Sequence, residues 1–339
     1  MVAWSVSGRG QTETGQKNAP LRELQVPVLS VSSWQNQVRM GNFLTKALAR
    51  GARRGYIRPL YERRRHAFLH PIFFKEFPMR IEQIRNATLR VTFAGTTFLI
   101  DPWLAGKGSM GCFADTPFQV CYPEQKTIPM PIHDLPMTRE EVLKGVDACI
   151  ITHVHPDHID MAQDGTVGAY LPKDMPCLVQ SSEDAEVLAR SGFARVDVLG
   201  SSSSFAGIAL TRTPGCHGTI VPCGPSCGVL FSHPEEKTLY VAGDTIWYEG
   251  VADTLQRFAP DVIVLNACAA ELVGFGRLIM DDQDVAMVRK ACPEAEIVIS
   301  HMDNVAHASI TRAGMKERLN RLGLHEKMHM PEDGEVCTF

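Results

Sequence analysis

Residues 152–160 read THVHPDHID, with three histidines and two aspartates in nine positions. They follow directly on the apolar run Ala148-Cys149-Ile150-Ile151, which reads as a buried β-strand. A strand that ends in so many ionisable groups carries either a crowded polar loop or half of a metal site. In an extended segment alternate side chains point the same way, so His153 and His155 can share one side. Pro156 then turns the chain before Asp157 and His158. Two imidazoles at i and i+2 suit one metal ion, and the adjacent carboxylate and imidazole suit a second a few ångströms away.

A half site needs partners, and the remaining sequence offers three. His217 lies in TRTPGCHGT, beyond a strand ending near Arg212. Asp244 lies in LYVAGDT and His301 in IVISHMDN, each directly after an apolar run. Each is a metal-capable side chain at the carboxyl end of a β-run, and loops at such ends converge on one edge of a sheet.

The surrounding pattern predicts an α/β fold. Strands are expected from Arg80 to Leu104 in two or three short pieces, then at Val146–Thr152, Leu178–Gln180, Val196–Leu199, Gly207–Arg212, Cys227–Phe231, Thr238–Ala242, Val262–Leu265 and Ile297–Ser300. Helices are expected at Arg139–Leu143, Ser182–Arg190, Val251–Phe258, Asp282–Ala291 and Thr311–Leu322. Sheet layers with helices outside them follow from this order.

Charge divides the chain unevenly. Residues 1–78 hold 13 Lys and Arg against 4 Glu, a net of +9, whereas the remainder holds 21 against 34, a net of −13. Residues 1–78 are therefore read as a basic, poorly ordered extension with a short helix within 40–66, and 79–339 as the functional domain. Three roles are open to the extension: a targeting or membrane-surface segment, a nucleic-acid arm, or a dispensable tail. The last is favoured, and no nucleic-acid partner is expected because no aromatic-interleaved binding module accompanies it.

Hydrophobic residues make up 45% of the chain and charged residues 21%, as in a soluble globular protein with a full core. No run approaches the roughly 18–20 apolar residues that span a bilayer. With no secretory leader pattern, the cytoplasm is the expected compartment. The 10 cysteines are accordingly read as reduced thiols. Cys223 and Cys227 lack the second pair that a structural zinc would need.

HxHxDH, a lone His, GD and a second lone His together resemble the metallo-β-lactamase-fold hydrolase superfamily. The resemblance covers residues 79–339 and implies an αββα sandwich with two metals at its edge. It implies that His153, His155 and His217 hold the first metal, that Asp157, His158 and His301 hold the second, and that Asp244 bridges them. The segments LRVTFAGTTFLIDPWL, GDT and SHMDN resemble the branch of ascorbate-6-phosphate lactonase, and HPDHID is similar to phospholipases D acting on N-acyl-phosphatidylethanolamine. Only 38 residues follow His301, too few for the helical domain of glyoxalase II-like thioesterases. The 57 positions from Asp244 to His301 leave no room for a β-CASP insertion. His155 stands where flavodiiron oxidoreductases carry Glu.

Five imidazoles and two carboxylates favour Zn²⁺, with Mn²⁺ or Fe²⁺ as alternatives. The expected activity is metal-dependent hydrolysis of a small ester-like substrate by a metal-bridging hydroxide. A lactone or phosphorylated sugar lactone leads. The alternatives are a phosphodiesterase, including one of phospholipase D type, and a non-catalytic metal-binding module. Asp157 is the candidate catalytic residue, through the second oxygen of its carboxylate. His307, Trp103 and Lys107 are candidate substrate contacts at the mouth. Asp101 and Asp160 are read as supporting residues behind the ligands. A homo-oligomer is left open.

Overall fold

The computed structural model describes residues 78–220 and 222–339. Apart from Pro78, the expected basic extension lies outside the described residues. Six strands come first: β1 (Arg80–Arg85), β2 (Thr88–Phe93), β3 (Thr96–Ile100), β4 (Ala148–Ile151), β5 (Cys177–Val179) and β6 (Val196–Val198). The next five are β7 (Ser203–Phe205), β8 (Ile208–Pro214), β9 (Cys227–Ser232), β10 (Leu239–Val241) and β11 (Val262–Asn266). A short ribbon, β12 (Glu271–Leu272) and β13 (Gly276–Arg277), precedes β14 (Glu296–Ser300), β15 (Met328–His329) and β16 (Val336–Thr338). The helices are α1 (Arg139–Leu143), α2 (Ser182–Arg190), α3 (Glu249–Phe258), α4 (Asp282–Ala291) and α5 (Arg312–Arg321).

Two seven-stranded sheets result. One runs β16-β1-β2-β3-β4-β5-β6 and the other β15-β14-β11-β10-β9-β8-β7. Strand periodicity explains how they stack. Val262 and Val264 of β11 face a core shared with Ile81, Val91, Phe98, Ile150, Val229 and Phe231, drawn from both sheets. Ile263 and Leu265, the intervening residues, face Val251 and Leu255 of α3, Val285 of α4 and Met315 of α5. The outer face of the first sheet is covered likewise: Leu99, Cys149, Ile151 and Val179 meet Val142 of α1 and Leu188 of α2. A strand buried on both faces reads as an unbroken apolar run, which is what VIVL and CII are. The order of layers is α, β, β, α, as the resemblance implies.

The helix starts are chemically marked. Thr138 caps α1 in a capping box with Glu141, and the Asp281 side chain accepts from the backbone of Gln283 and Asp284 at the start of α4. The predicted helices match the observed ones to within a few residues. Four short pieces, β7, the β12–β13 ribbon, β15 and β16, have no counterpart in the predicted strands. At 2 or 3 residues each they are too brief for period-two patterning to show.

The fold brings the polar strand ends together. β3, β4 and β5 are parallel neighbours in one sheet, as are β10, β11 and β14 in the other. Their carboxyl ends therefore face one edge, where the ends of the two sheets are stitched. The Cys227 N–H donates to the Thr152 carbonyl at 3.2 Å, and the His301 N–H donates to the Asn86 carbonyl at 3.2 Å. The turn before Asp244 needs glycine: Gly243 has φ +66°, and a Cβ there would collide with the Cys227 carbonyl.

Candidate metal centre

All seven predicted ligand residues meet at this edge. His153 and His155 follow β4, and their rings touch, with Nε2 of His153 2.9 Å from Nδ1 of His155. His217 follows β8, with Nδ1 3.0 Å from the Leu278 carbonyl. That bond places the N–H on Nδ1 and leaves the Nε2 lone pair facing Asp244 Oδ2 at 3.8 Å. Asp244 Oδ2 also lies 3.2 Å from His158 Nε2, 3.7 Å from His301 Nε2 and 4.0 Å from His153 Nε2. One carboxylate oxygen thus stands at the centre of four imidazoles. On the far side His301 Nε2 is 3.4 Å from Asp157 Oδ2. Among the described residues three overlapping groups have the geometry to hold a cation: His153, His155 and His217; His153, His158 and Asp244; and Asp157, His158 and His301. No cysteine belongs to any of them. The Cys216 Sγ instead lies 3.4 Å from the Gly218 carbonyl.

A set of supporting residues aims these side chains. Asp101 ends β3 in a left-handed turn, φ +46°. Its Oδ1 accepts from the Thr152 N–H at 2.7 Å, and its Oδ2 lies 2.9 Å from His158 Nδ1. A carboxylate behind a histidine sets the tautomer, so Asp101 turns His158 Nε2 toward Asp244. Asn266, the last residue of β11, donates to Asp244 Oδ1 at 2.8 Å. Asn86, in the β1–β2 turn at φ +51°, donates to the Asp157 carbonyl at 3.1 Å. Its carbonyl is held in turn by Ser300 Oγ at 2.8 Å. His301 itself sits at φ +65°, a conformation that costs a non-glycine residue about 1–3 kcal/mol and collects at functional sites. Of these, Asp101 was legible as a supporting strand-end carboxylate. Asn86 and Asn266 were not singled out, although a polar residue closing an apolar strand is the same signal that marked Asp244.

The electrostatics fit a cation. Burial lowers the pKa of His153, His155 (to about 4) and His217, so these imidazoles are neutral donors near pH 7. Burial opposes charge on His158 and His301 as well. There the carboxylates of Asp244, Asp101 and Asp157 outweigh it, raising His158 to about 10 and His301 well above its ordinary value. Burial would also raise Asp157 and Asp244, but the facing histidines hold both carboxyls far below the usual range. Two buried anions therefore demand positive charge. Protons supply it poorly, because His158 Nε2 and His301 Nε2 face each other at 3.1 Å and cannot both carry one. A divalent ion accepts both lone pairs and balances both carboxylates, so the donor set fits the metal that the fold family implies.

The three candidate substrate contacts separate. His307 reaches the cluster, with Nε2 3.5 Å from Asp157 Oδ2. Lys107 is exposed. Trp103 does not line a mouth, contrary to the sequence reading. It is fully buried beside Met130, Met280 and Ile299, under the guanidinium of Arg85, 5.0 Å from its ring centroid. The Gly-rich segment after it suggested an open loop. The Trp103 and Ala105 carbonyls accept from Arg85 Nη2 instead, which pulls that segment inward. Asp160 is likewise neither a helix cap nor a partner of a ligand histidine. Its buried carboxyl faces the backbone of Leu104 and Ala105 and the charge of Arg85. Burial raises its pKa to about 6, against the lowering effect of those groups.

Comparison with known proteins agrees with this geometry. Residues 96–304 match the family model described as beta-lactamase superfamily domain. The chain is 40% identical to the UPF0173 protein YddR of Bacillus subtilis, over 77% of this chain and all of that one. It is 27% identical to a UPF0173 metal-dependent hydrolase of Koribacter versatilis, over 55% of this chain and 71% of that one. Among solved structures, an isothiocyanate hydrolase from Delia radicum gut bacteria superposes with TM-score 0.70 at 37% identity, over 77% of this chain and 99% of that one. A possible metal-dependent hydrolase from Veillonella parvula gives TM-score 0.70 at 35% identity, over 77% and 100%. With the fold, the donor set and these relatives in agreement, the chain belongs to the beta-lactamase superfamily domain family and is a metal-dependent hydrolase of its UPF0173 group.

Proposed function

We propose that this hydrolase acts on a small uncharged electrophile at carbon, with an organic isothiocyanate as its first substrate class and a lactone as its second. The observation that carries the reading is the charge around the cluster. Among the described residues, the charges that act most strongly on its histidines and aspartates belong to other members of the site and its immediate supports, with no lysine or arginine among them. A phosphate ester brings several anionic oxygens, for which arginine or lysine is the usual protein partner. The phosphodiesterase alternative, and with it the phosphorylated lactone, therefore loses ground. The 37% identity to an isothiocyanate hydrolase, over nearly all of that chain, supports the same class of electrophile.

In this reading His153, His155 and His217 would hold one divalent ion and Asp157, His158 and His301 a second, with Asp244 available as a further ligand. Zn²⁺ is the favoured metal for such a donor set. When bound, the ions supply Lewis acidity and a water whose pKa falls from about 15.7 toward about 7. For R–N=C=S, water oxygen bonds to the central carbon as the C=N and C=S π electrons move to nitrogen and sulfur; one water proton goes to nitrogen and the other to sulfur, giving the thiocarbamic acid R–NH–C(=O)–SH. Loss of carbonyl sulfide then leaves the amine. Asp157 is the chain's group for moving the proton that goes to nitrogen, through the carboxylate oxygen not turned toward His301. His307, against Asp157, orients it and contacts the substrate.

The test is a panel assay on metal-analysed protein, with benzyl isothiocyanate, a simple lactone and bis-p-nitrophenyl phosphate as substrates. Turnover of the isothiocyanate or lactone, lost in Asp244→Ala, is the expected result. Turnover of the phosphodiester alone sinks the proposal.

A further inference from the structure

We infer that an apolar collar built from three separate loops selects substrates by the hydrophobic group attached to the reacting carbon. The inference rests on the proposed carbon-electrophile reading and extends it to the choice of substituent. The collar begins at the cluster. Outward from His301 the His307 ring lies 6.4 Å away, and Phe118 stacks on His307 with ring centroids 4.9 Å apart and planes at 31°. Phe113 packs against both, at 5.5 Å from His307 and 5.4 Å from Phe118. His307 Nδ1 is buried in this aromatic bracket with no hydrogen-bond partner among the described residues. A wall of this kind starts one residue from Asp157 and presents ring faces.

Backbone hydrogen bonds carry the wall onward. The Val273 N–H donates to the Pro117 carbonyl at 2.8 Å, and the Gln119 N–H to the Glu271 carbonyl at 2.8 Å, which fastens the aromatic loop to the β12–β13 ribbon. The Thr219 N–H donates to the Arg277 carbonyl at 2.8 Å, fastening the ribbon to the loop that follows His217. Gly276 makes this last approach possible: φ is +93°, and a Cβ would collide with Thr219 and press on Ile220. The three loops thus connect the His307 side of the centre to the His217 side.

The large side chains that the ribbon and the His217 loop expose among the described residues are apolar, with Thr219 beside them. Ile220, Val273 and Phe275 are 70, 54 and 47% exposed, in a chain whose large hydrophobic residues are mostly buried. Exposed apolar side chains fastened beside a polar centre mark a binding surface. Its attachment to the loops that carry His217 and stack on His307 assigns the alkyl or aryl substituent of the substrate as its occupant, and the one cation of the ribbon, Arg277, is already paired with Asp281 and Asp284.

The experiment compares wild type with the triple variant Ile220→Ser/Val273→Ser/Phe275→Ser. All three positions are exposed, so the variant folds. The first readout is the ratio of kcat/KM for phenethyl over methyl isothiocyanate. Burial of one methylene is worth about fourfold, so the wild-type ratio exceeds 10 and the variant's falls at least tenfold. The second readout needs no turnover: binding of the neutral fluorescent probe N-phenyl-1-naphthylamine, expected to weaken at least tenfold in the variant. Gly276→Val, which forces the ribbon away from Thr219, lowers both in the same direction. An unchanged ratio overturns the inference, as does a change in oligomeric mass with selectivity intact. If no isothiocyanate is turned over, the reaction assignment fails on its own, and unchanged probe binding then overturns the collar separately.

Discussion

His158 Nε2 and His301 Nε2 lie 3.1 Å apart, one delivered by the loop after β4 of the first sheet and the other by the end of β14 in the second. Two ring nitrogens at hydrogen-bond distance share one proton or one metal. Because carboxylates raise both pKa values, the metal-free pair carries a proton at pH 7, and an incoming ion must displace it. Binding of a divalent ion, Zn²⁺ in the proposed reading, is therefore expected to release a proton and to tighten as pH rises. Calorimetry in two buffers of different ionisation enthalpy measures this directly. The same ion stabilises the fold, by about 2.7 kcal/mol when present at 100 times its Kd. A chelator is accordingly expected to lower Tm, and an identical Tm with and without chelator contradicts the site.

Asp101 makes no listless contact: both of its oxygens are committed to Thr152 and His158. Asp101→Asn preserves the shape and removes the charge behind the ring. Metal affinity is expected to fall about 10- to 100-fold, with the secondary structure unchanged. Competition against a chelator of known affinity provides the measurement. Equal affinity would mean that His158 needs no help in holding its tautomer.

Trp103 tests the boundary between core and site. Its burial predicts a cost of about 3–5 kcal/mol for Trp103→Ala in denaturant unfolding. The residual folded protein should show the same substrate selectivity as wild type. A selectivity change at unaltered stability would return Trp103 to the mouth.

Cys227 predicts an alkaline limit. Burial chiefly, with Asp101 adding to it, raises its thiol from 9.0 to about 12. The folded state then holds the proton more tightly than the unfolded chain. Stability from this group is complete below pH 9 and is lost progressively as pH rises toward 12. Urea unfolding between pH 8 and 10.5 should show wild type losing stability relative to Cys227→Ala above pH 9. The slope approaches about 1.4 kcal/mol per pH unit. A constant difference across that range would show the thiol ionising inside the fold.

The amino-acid order by itself singled out the proposed donor set and determined the layers. His153, His155, Asp157 and His158 are spaced by local backbone geometry, β4, β10 and β14 announce themselves as apolar runs that close just before His153, Asp244 and His301, and β8 leads by alternation toward His217. Periodicity of two, and unbroken apolar runs where both faces are covered, are properties of neighbours along the chain. Tertiary structure alone decided which residues stand behind and around that set. Asp101 meets His158 across 57 positions, and Asn86 meets His301 across 215. Trp103 turns into the core because Arg85 binds the carbonyls beside it, and Phe118 reaches His307 only because the ribbon fastens its loop. Such pairings depend on how two sheets pack and where their edges meet, and no spacing along the chain encodes them.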